Sequence, residues 1–241
     1  MSGNSLLCYL LCGNMLTHKL ADEWDMTDFF NRRVMMVNNQ VRPSDVTKFP
    51  IIAAMLAVER EIYVPASKRE TAYMGENIVI GEGRVLVEAR TFAKLLDGLD
   101  IQPHEIVLDI GCGLGYSTAV LARLCDTVVA VESESLGAAA QRTLSSQGVD
   151  NAAVMTADLV KGDPKHGPYD VIVLEGAVEV IPDAILAQLK DGGRIGSVFM
   201  EGQLGLARIG YKLNGDVTWR FAFNASAPIL PGFEKTLSFA L

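Results

Sequence analysis

The sequence predicts an α/β protein, with a mainly parallel, doubly wound sheet of seven strands, an antiparallel C-terminal hairpin and an N-terminal helical cap. Three observations predict it. Between residues 101 and 199, short and nearly continuous apolar runs alternate with helical patterns, as buried parallel strands and their crossover helices do. Two alternating runs joined by Asn214-Gly215 follow, a strong short-range hairpin signal. Ahead of both, the periodicity of residues 26–100 is mostly helical.

In chain order, residues 1–25 read as a disordered extension, translated from an upstream start with Met26 as the functional one. Leu6–Leu11 is apolar, yet it is far below the roughly 20 residues of a membrane span. No Lys or Arg precedes it, as a signal peptide would require. Residues 26–100 form the cap, continuous with a main domain over 101–241. From Arg32 to Pro65 the pattern is helical, with Val46, Phe49, Ile52, Ala53 and Leu56 at three- and four-residue steps after the capping candidates Ser44 and Asp45. Asn77–Ile80 is extended and leads through Gly81-Glu82-Gly83 into a second amphipathic helix carrying Phe92, Leu95, Leu96 and Leu99.

Ile106–Ile110, interrupted only by Asp109, ends in glycines and precedes a helix over Ser117–Leu124. The same unit recurs as strand Thr127–Val131 with helix Leu136–Gln147, strand Ala153–Met155, strand Val171–Leu174 with helix Pro182–Leu189, and strand Arg194–Phe199. Leu206–Leu213 and Val217–Phe223 close the sheet.

Composition narrows the partners. The 241 residues are 49% hydrophobic and 21% charged, an ordinary globular usage, and the net charge is -8 with no basic stripe for phosphates, which argues against nucleic acid. Cys8, Cys12, Cys112 and Cys125 lack metal-ligand spacing with His18, His104 or His166, so they read as reduced thiols in a cytoplasmic protein with no metal and no membrane anchor. Monomer and homodimer both remain open.

In open α/β sheets the ligand lies beyond the carboxyl ends of the central strands, which points to Gly111-Cys112-Gly113-Leu114-Gly115-Tyr116. The dinucleotide fingerprint needs its third glycine one position later, so a ligand without a pyrophosphate fits better. Cys112 is a small packing residue in this loop, since nothing basic adjoins it in sequence. Glu132, followed by Ser133, ends the next strand 132 − 111 = 21 residues beyond the first glycine, where doubly wound folds hold ribose hydroxyls. Asp158 and Leu159 follow the third strand, where a carboxylate meets an adenine amino group. Glu175 stands at the tip of the fourth strand. Asp109, the glycines, Glu132 and Asp158 at three successive strand ends together make a nucleoside pocket.

This arrangement resembles the class I S-adenosylmethionine-dependent methyltransferases, and the flanking motifs are similar to the protein-L-isoaspartate O-methyltransferase family. The likeness runs from Arg32-Arg33-Val34-Met35 and Asn39-Gln40-Val41-Arg42-Pro43 through Glu59-Arg60-Glu61, Val64-Pro65 and Ile80-Gly81-Glu82-Gly83. It continues through Val107–Tyr116, Tyr169-Asp170-Val171-Ile172-Val173 and Ile181-Pro182 to Leu189-Lys190-Asp191-Gly192-Gly193. The resemblance implies a Rossmann-like methyltransferase fold that binds S-adenosylmethionine and yields S-adenosylhomocysteine. It also implies methyl transfer to the carboxylate of isoaspartyl residues in damaged proteins or peptides. One element departs from the family: its Thr-x-Ser followed by Pro is here Val85-Leu86-Val87-Glu88-Ala89, so Val87 stands at the Ser position and no catalytic residue is assigned. Glu88 adds a negative charge beside it, and Arg84 is a candidate for the lost carboxylate contact or a solvated turn residue. The alternative is a member with a degenerate substrate site, acting on another acceptor or as a cofactor-binding regulatory module.

Overall fold

A computed structural model describes residues 28–235. Among them are a separate two-stranded hairpin, β1 (Ile78–Gly81) with β2 (Arg84–Leu86), and seven further strands, β3 to β9, that form one sheet in the order β5-β4-β3-β6-β7-β8-β9. The main sheet comprises β3 (Ile106–Ile110), β4 (Thr127–Glu132), β5 (Ala152–Thr156), β6 (Tyr169–Val178), β7 (Leu189–Glu201), β8 (Leu204–Leu213) and β9 (Asp216–Asn224). Pairings from β5 to β7 are parallel and the last two are antiparallel, so the expected fold class is borne out. Val107, Leu108, Val171, Ile172 and Ile195 are fully buried, because helices cover one face and the C-terminal segment helps cover the other, and this double burial makes the strands read as unbroken apolar runs.

The helices are α1 (residues 28–36), α2 (Phe49–Ala57), α3 (Ala89–Leu99), α4 (Tyr116–Leu121), α5 (Glu134–Ser146) and α6 (Asp183–Leu186). The cap is more broken than the periodicity predicts. A π-turn at Val37–Val41 and a 3₁₀ turn at Arg42–Ser44 separate α1 from α2, and Asp45 ends the latter turn with φ 67°. Lys48, rather than Ser44 or Asp45, precedes α2, and Pro50 supplies its preset φ in the first turn. Helix α6 is a single turn where the sequence suggested eight residues, because the chain enters β7 by Leu189.

Polar residues of the cap hold it together through buried hydrogen bonds. Arg33 donates to Tyr73 Oη at 3.0 Å and to Glu61 Oε1 at 3.2 Å, and Gln40 donates to the Tyr73 carbonyl at 2.9 Å. Arg60 is fully buried, donating to the carbonyls of Ala72 and Val87 at 2.8 Å each. Buried residues of α1–α4 and one sheet face belong to a single apolar cluster. Residues 1–25, with Cys8, Cys12 and Leu6–Leu11, lie outside the described residues, as do residues 236–241. No helix among the described residues is long and apolar enough to cross a membrane.

Candidate active site

Strand β3 lies between β4 and β6, so the crossovers depart in opposite directions from its carboxyl end, where such sheets open a crevice. The glycine loop is there. Gly111, Gly113 and Gly115 have φ of 82°, 58° and 98°, a backbone that L side chains rarely adopt, and the Gly111 amide donates to the Val131 carbonyl at 2.8 Å. The loop delivers the chain directly into α4.

Asp109, just ahead of the loop, is fully buried. Its Oδ2 accepts hydrogen bonds from Ser117 at 2.8 Å and Thr118 at 2.7 Å, while Oδ1 has no partner among the described residues. Burial pushes its pKa up to about 6, against the opposing effect of the two hydroxyls. Glu175 lies not at a strand tip but inside β6, where the register with β7 breaks between Val173 and Ala177. It is buried, its Oε1 is unpartnered, and burial followed by the Asp109 charge holds its pKa well above the usual carboxylate range.

A cavity of about 550 Å³ opens beside β4. Arg84, Glu132, Ser133, Asp158 and Leu159 line it, so five of the sequence candidates converge. Asp158 Oδ2 pairs with Lys161 Nζ at 2.5 Å. Gly111, Cys112, Gly113, Gly115, Asp109, Glu175 and Tyr116 lie outside that lining. Tyr116 turns into the cap instead, its ring 5.9 Å from those of Tyr63 and Phe92 and 4.8 Å from the Arg60 guanidinium carbon. Cys112 is buried, and burial raises its thiol pKa well above the ordinary value, in keeping with a packing residue. Cys112 and Cys125 are both free thiols.

The largest departure from expectation is the segment after Asn77. The extended stretch expected at Asn77–Ile80 is present as β1 (Ile78–Gly81), but instead of leading straight into α3 the chain turns back as β2 (Arg84–Leu86) and forms a hairpin, whose turn places Glu82 at φ 51° and Gly83 at φ 70°. The hairpin folds onto the glycine loop. Arg84, read from sequence as solvated or substrate-facing, is only 3% exposed: its Nη1 donates to Glu132 Oε1 at 2.7 Å and Oε2 at 2.8 Å, and its Nη2 donates to the Gly111 carbonyl at 2.6 Å. Glu132 itself is fully buried and also accepts from the Gly113 amide at 2.7 Å and the Ser133 amide at 2.9 Å. A carboxylate that must leave water requires such compensation, and Arg84 supplies the opposite charge.

Val85 and Val87 are buried at 9% and 4% exposure, and Glu88 receives the Thr91 hydroxyl. Thr156, Ala157, Val160, Glu82 and the tail residues Pro231 and Gly232 also line the cavity. The last two had no signal in sequence. The tail reaches the site through the Leu230 amide on the Ala177 carbonyl at 2.8 Å, a pairing that only the folded sheet creates.

Residues 32–205 match the family model for protein-L-isoaspartate(D-aspartate) O-methyltransferase. The chain is 35% identical over 165 residues to protein-L-isoaspartate O-methyltransferase 2 of Pelobacter propionicus, covering 68% of this chain and 73% of that protein. It is 32% identical over 182 residues to protein-L-isoaspartate O-methyltransferase of Pelotomaculum thermopropionicum, covering 75% and 80%. Among solved structures, a protein-L-isoaspartate O-methyltransferase superposes with a TM-score of 0.73 at 23% identity over 83% of this chain and 66% of its own. A Plasmodium falciparum protein assigned to the same activity, solved with S-adenosyl-L-homocysteine, superposes with a TM-score of 0.71 at 18% identity over 83% and 97%. These two show the shared fold. The matched span includes Arg33 and Arg60 of the cap, the β1-β2 hairpin, the glycine loop and the β4 and β5 ends that line this crevice, and on that match the chain belongs to the protein-L-isoaspartate(D-aspartate) O-methyltransferase family.

Proposed function

We propose that the chain is an S-adenosylmethionine-dependent O-methyltransferase whose acceptor is an isoaspartyl carboxylate in a protein or peptide. The observation that carries this reading is the crevice at the carboxyl ends of β4 and β5, lined by Glu132, Ser133, Asp158 and Leu159, in a chain of this family. The buried free thiols Cys112 and Cys125 suit a cytoplasmic setting.

The residues fit the cofactor unevenly. The cavity of about 550 Å³ suits a nucleoside, with Leu159 and Val160 as apolar wall and Asp158 as acceptor for an amino group. The glycines of the loop permit close backbone approach, yet Ile80 and Arg84 already lie against Gly113 and Gly111. When bound, S-adenosylmethionine supplies a methyl group on a sulfonium, an electrophile that needs no activation by a metal. An acceptor carboxylate, with a reference pKa of about 4, is already ionised at neutral pH, so the protein's task is alignment and no general base is required.

A specific observation favours the degenerate-site reading for the acceptor. Val85 and Val87 are packed, and the Val87 carbonyl is taken by Arg60. Neither side chain can donate to a carboxylate. Acceptor selection in this chain therefore rests on other groups, or the turnover of isoaspartyl peptide is low.

The test compares an isoaspartyl peptide with its normal aspartyl counterpart in an assay for base-labile methyl ester, read as methanol release. Slow ester formation confined to the isoaspartyl peptide is expected. Saturable S-adenosylhomocysteine binding without ester on either peptide would replace the acceptor, and no binding by the wild type or any variant would remove the cofactor from the reading.

A further inference from the structure

We propose that Arg84 is an internal plug: in the closed hairpin its guanidinium occupies the place of the cofactor's ribose on Glu132, and S-adenosylmethionine enters only when the β1-β2 hairpin lifts. This rests on the reading that the crevice takes S-adenosylmethionine.

The argument begins with acceptor capacity. A carboxylate offers about four lone-pair positions. Glu132 receives four contacts, two from Arg84 Nη1 and one each from the amides of Gly113 and Ser133, all between 2.7 and 2.9 Å. Its capacity for two further hydroxyl donors is exhausted while Arg84 stays.

The glycine loop is filled by the same hairpin. A Cβ at Gly111 would meet Arg84 Nη2 at 2.5 Å, and one at Gly113 would clash with the Ile80 Cδ1 methyl. The space that glycine provides for a ligand's close approach is thus taken by two side chains of this chain. Arg84 Nη2 also covers the Gly111 carbonyl.

The hairpin is a separate element of the fold. It pairs with no strand of the main sheet, and its turn carries three consecutive positive φ values at Gly81, Glu82 and Gly83. Glu82, exposed at the tip, accepts from the hydroxyls of Ser133 and Ser135 across the crevice mouth. Lifting the hairpin releases the Glu82 clasp, the Arg84–Glu132 pair and the Ile80 contact together. Ligand and plug compete for one carboxylate, so the affinity is reduced by the fraction of molecules in the closed state.

Calorimetric titration with S-adenosylhomocysteine tests this on the wild type, Arg84→Ala and Arg84→Met. The methionine variant keeps the buried stem and lacks the donors, which covers the case in which alanine leaves the chain unfolded. Both variants are expected to melt below the wild type, since Glu132 loses its counter-charge, and yet to bind at least tenfold more tightly. A merely structural arginine would lower affinity or leave it unchanged, so the opposite sign is diagnostic. Equal affinity in all three proteins overturns the plug while leaving the cofactor reading intact. Absence of binding in all three overturns both, and Arg84–Glu132 is then a structural pair.

Discussion

Val87 illustrates how one side chain separates a fold from its chemistry. At 4% exposure it packs as valine should, while its carbonyl anchors Arg60, so the backbone duty of the segment survives without a hydroxyl. Val85→Thr with Val87→Ser is expected to raise isoaspartyl methyl-ester formation about 10²-fold, the order of rate gained by correctly orienting a bound acceptor, measured by methanol release. No gain would mean that backbone groups alone orient the acceptor. Asp109 offers a second test. Its carboxyl ionises near 3.8 when exposed and at about 6 in the fold, because burial penalises the charge. Between those values the native state holds more protons than the unfolded state, so stability falls as pH rises through the window, and the full cost is present above it. Asp109→Asn removes that dependence: the stability of variant minus wild type should grow between pH 4 and 6 by on the order of 2 kcal/mol, seen in urea unfolding at several pH values. A difference independent of pH would show that Asp109 titrates normally.

At the scale of elements, the two hairpins contrast. The β8-β9 connection places Asn214 at φ 54° and Gly215 at φ 90°, both positive as a two-residue turn matched to strand twist demands. Gly215→Ala strains only that turn, since a Cβ there meets no atom within 4 Å. It should cost about 1 kcal/mol and lower Tm by about 2–4 °C by differential scanning calorimetry, with cofactor affinity unchanged. The β1-β2 hairpin is also glycine-rich, but its side chains enter the crevice. Its register breaks between Val79 and Gly81, and that irregularity conceals a strand pair from any search for strict alternation.

Across the whole molecule, one ion pair joins elements far apart in the chain. Arg194 in β7 meets Glu105, just before β3, through Nη1–Oε1 at 2.5 Å and Nη2–Oε2 at 2.9 Å, and also donates to the Leu99 and Asp100 carbonyls at 2.8 Å each. The pair holds the end of α3 against the sheet, with both side chains at most 15% exposed. Arg194→Ala should destabilise by about 3 kcal/mol, because the near-buried Glu105 and two carbonyls lose their partner. Arg194→Ala/Glu105→Gln should recover part of that loss, and strict additivity of the two single changes in chemical unfolding would show that the pair is not coupled.

The sequence alone determined the sheet, its parallel core and its terminal hairpin, because double burial and strand pleat impose periods that are local and readable; Ile106–Ile110 matches residue for residue. It also determined the glycine loop and the acidic strand ends, since backbone approach and strand order dictate those residue types. The cap's interruption at Asp45 was not legible, because a single left-handed residue outweighed the helical pattern around it. Nor was the reach of Pro231 and Gly232 into the crevice. Above all, tertiary structure decided the partner of Glu132: Arg84 stands 48 positions away on a turn whose sequence reads as exposed, and only folding the hairpin onto the glycine loop sets the two charges together. A buried charge must find compensation from whatever the fold brings near, and no spacing along the chain announces which residue that will be.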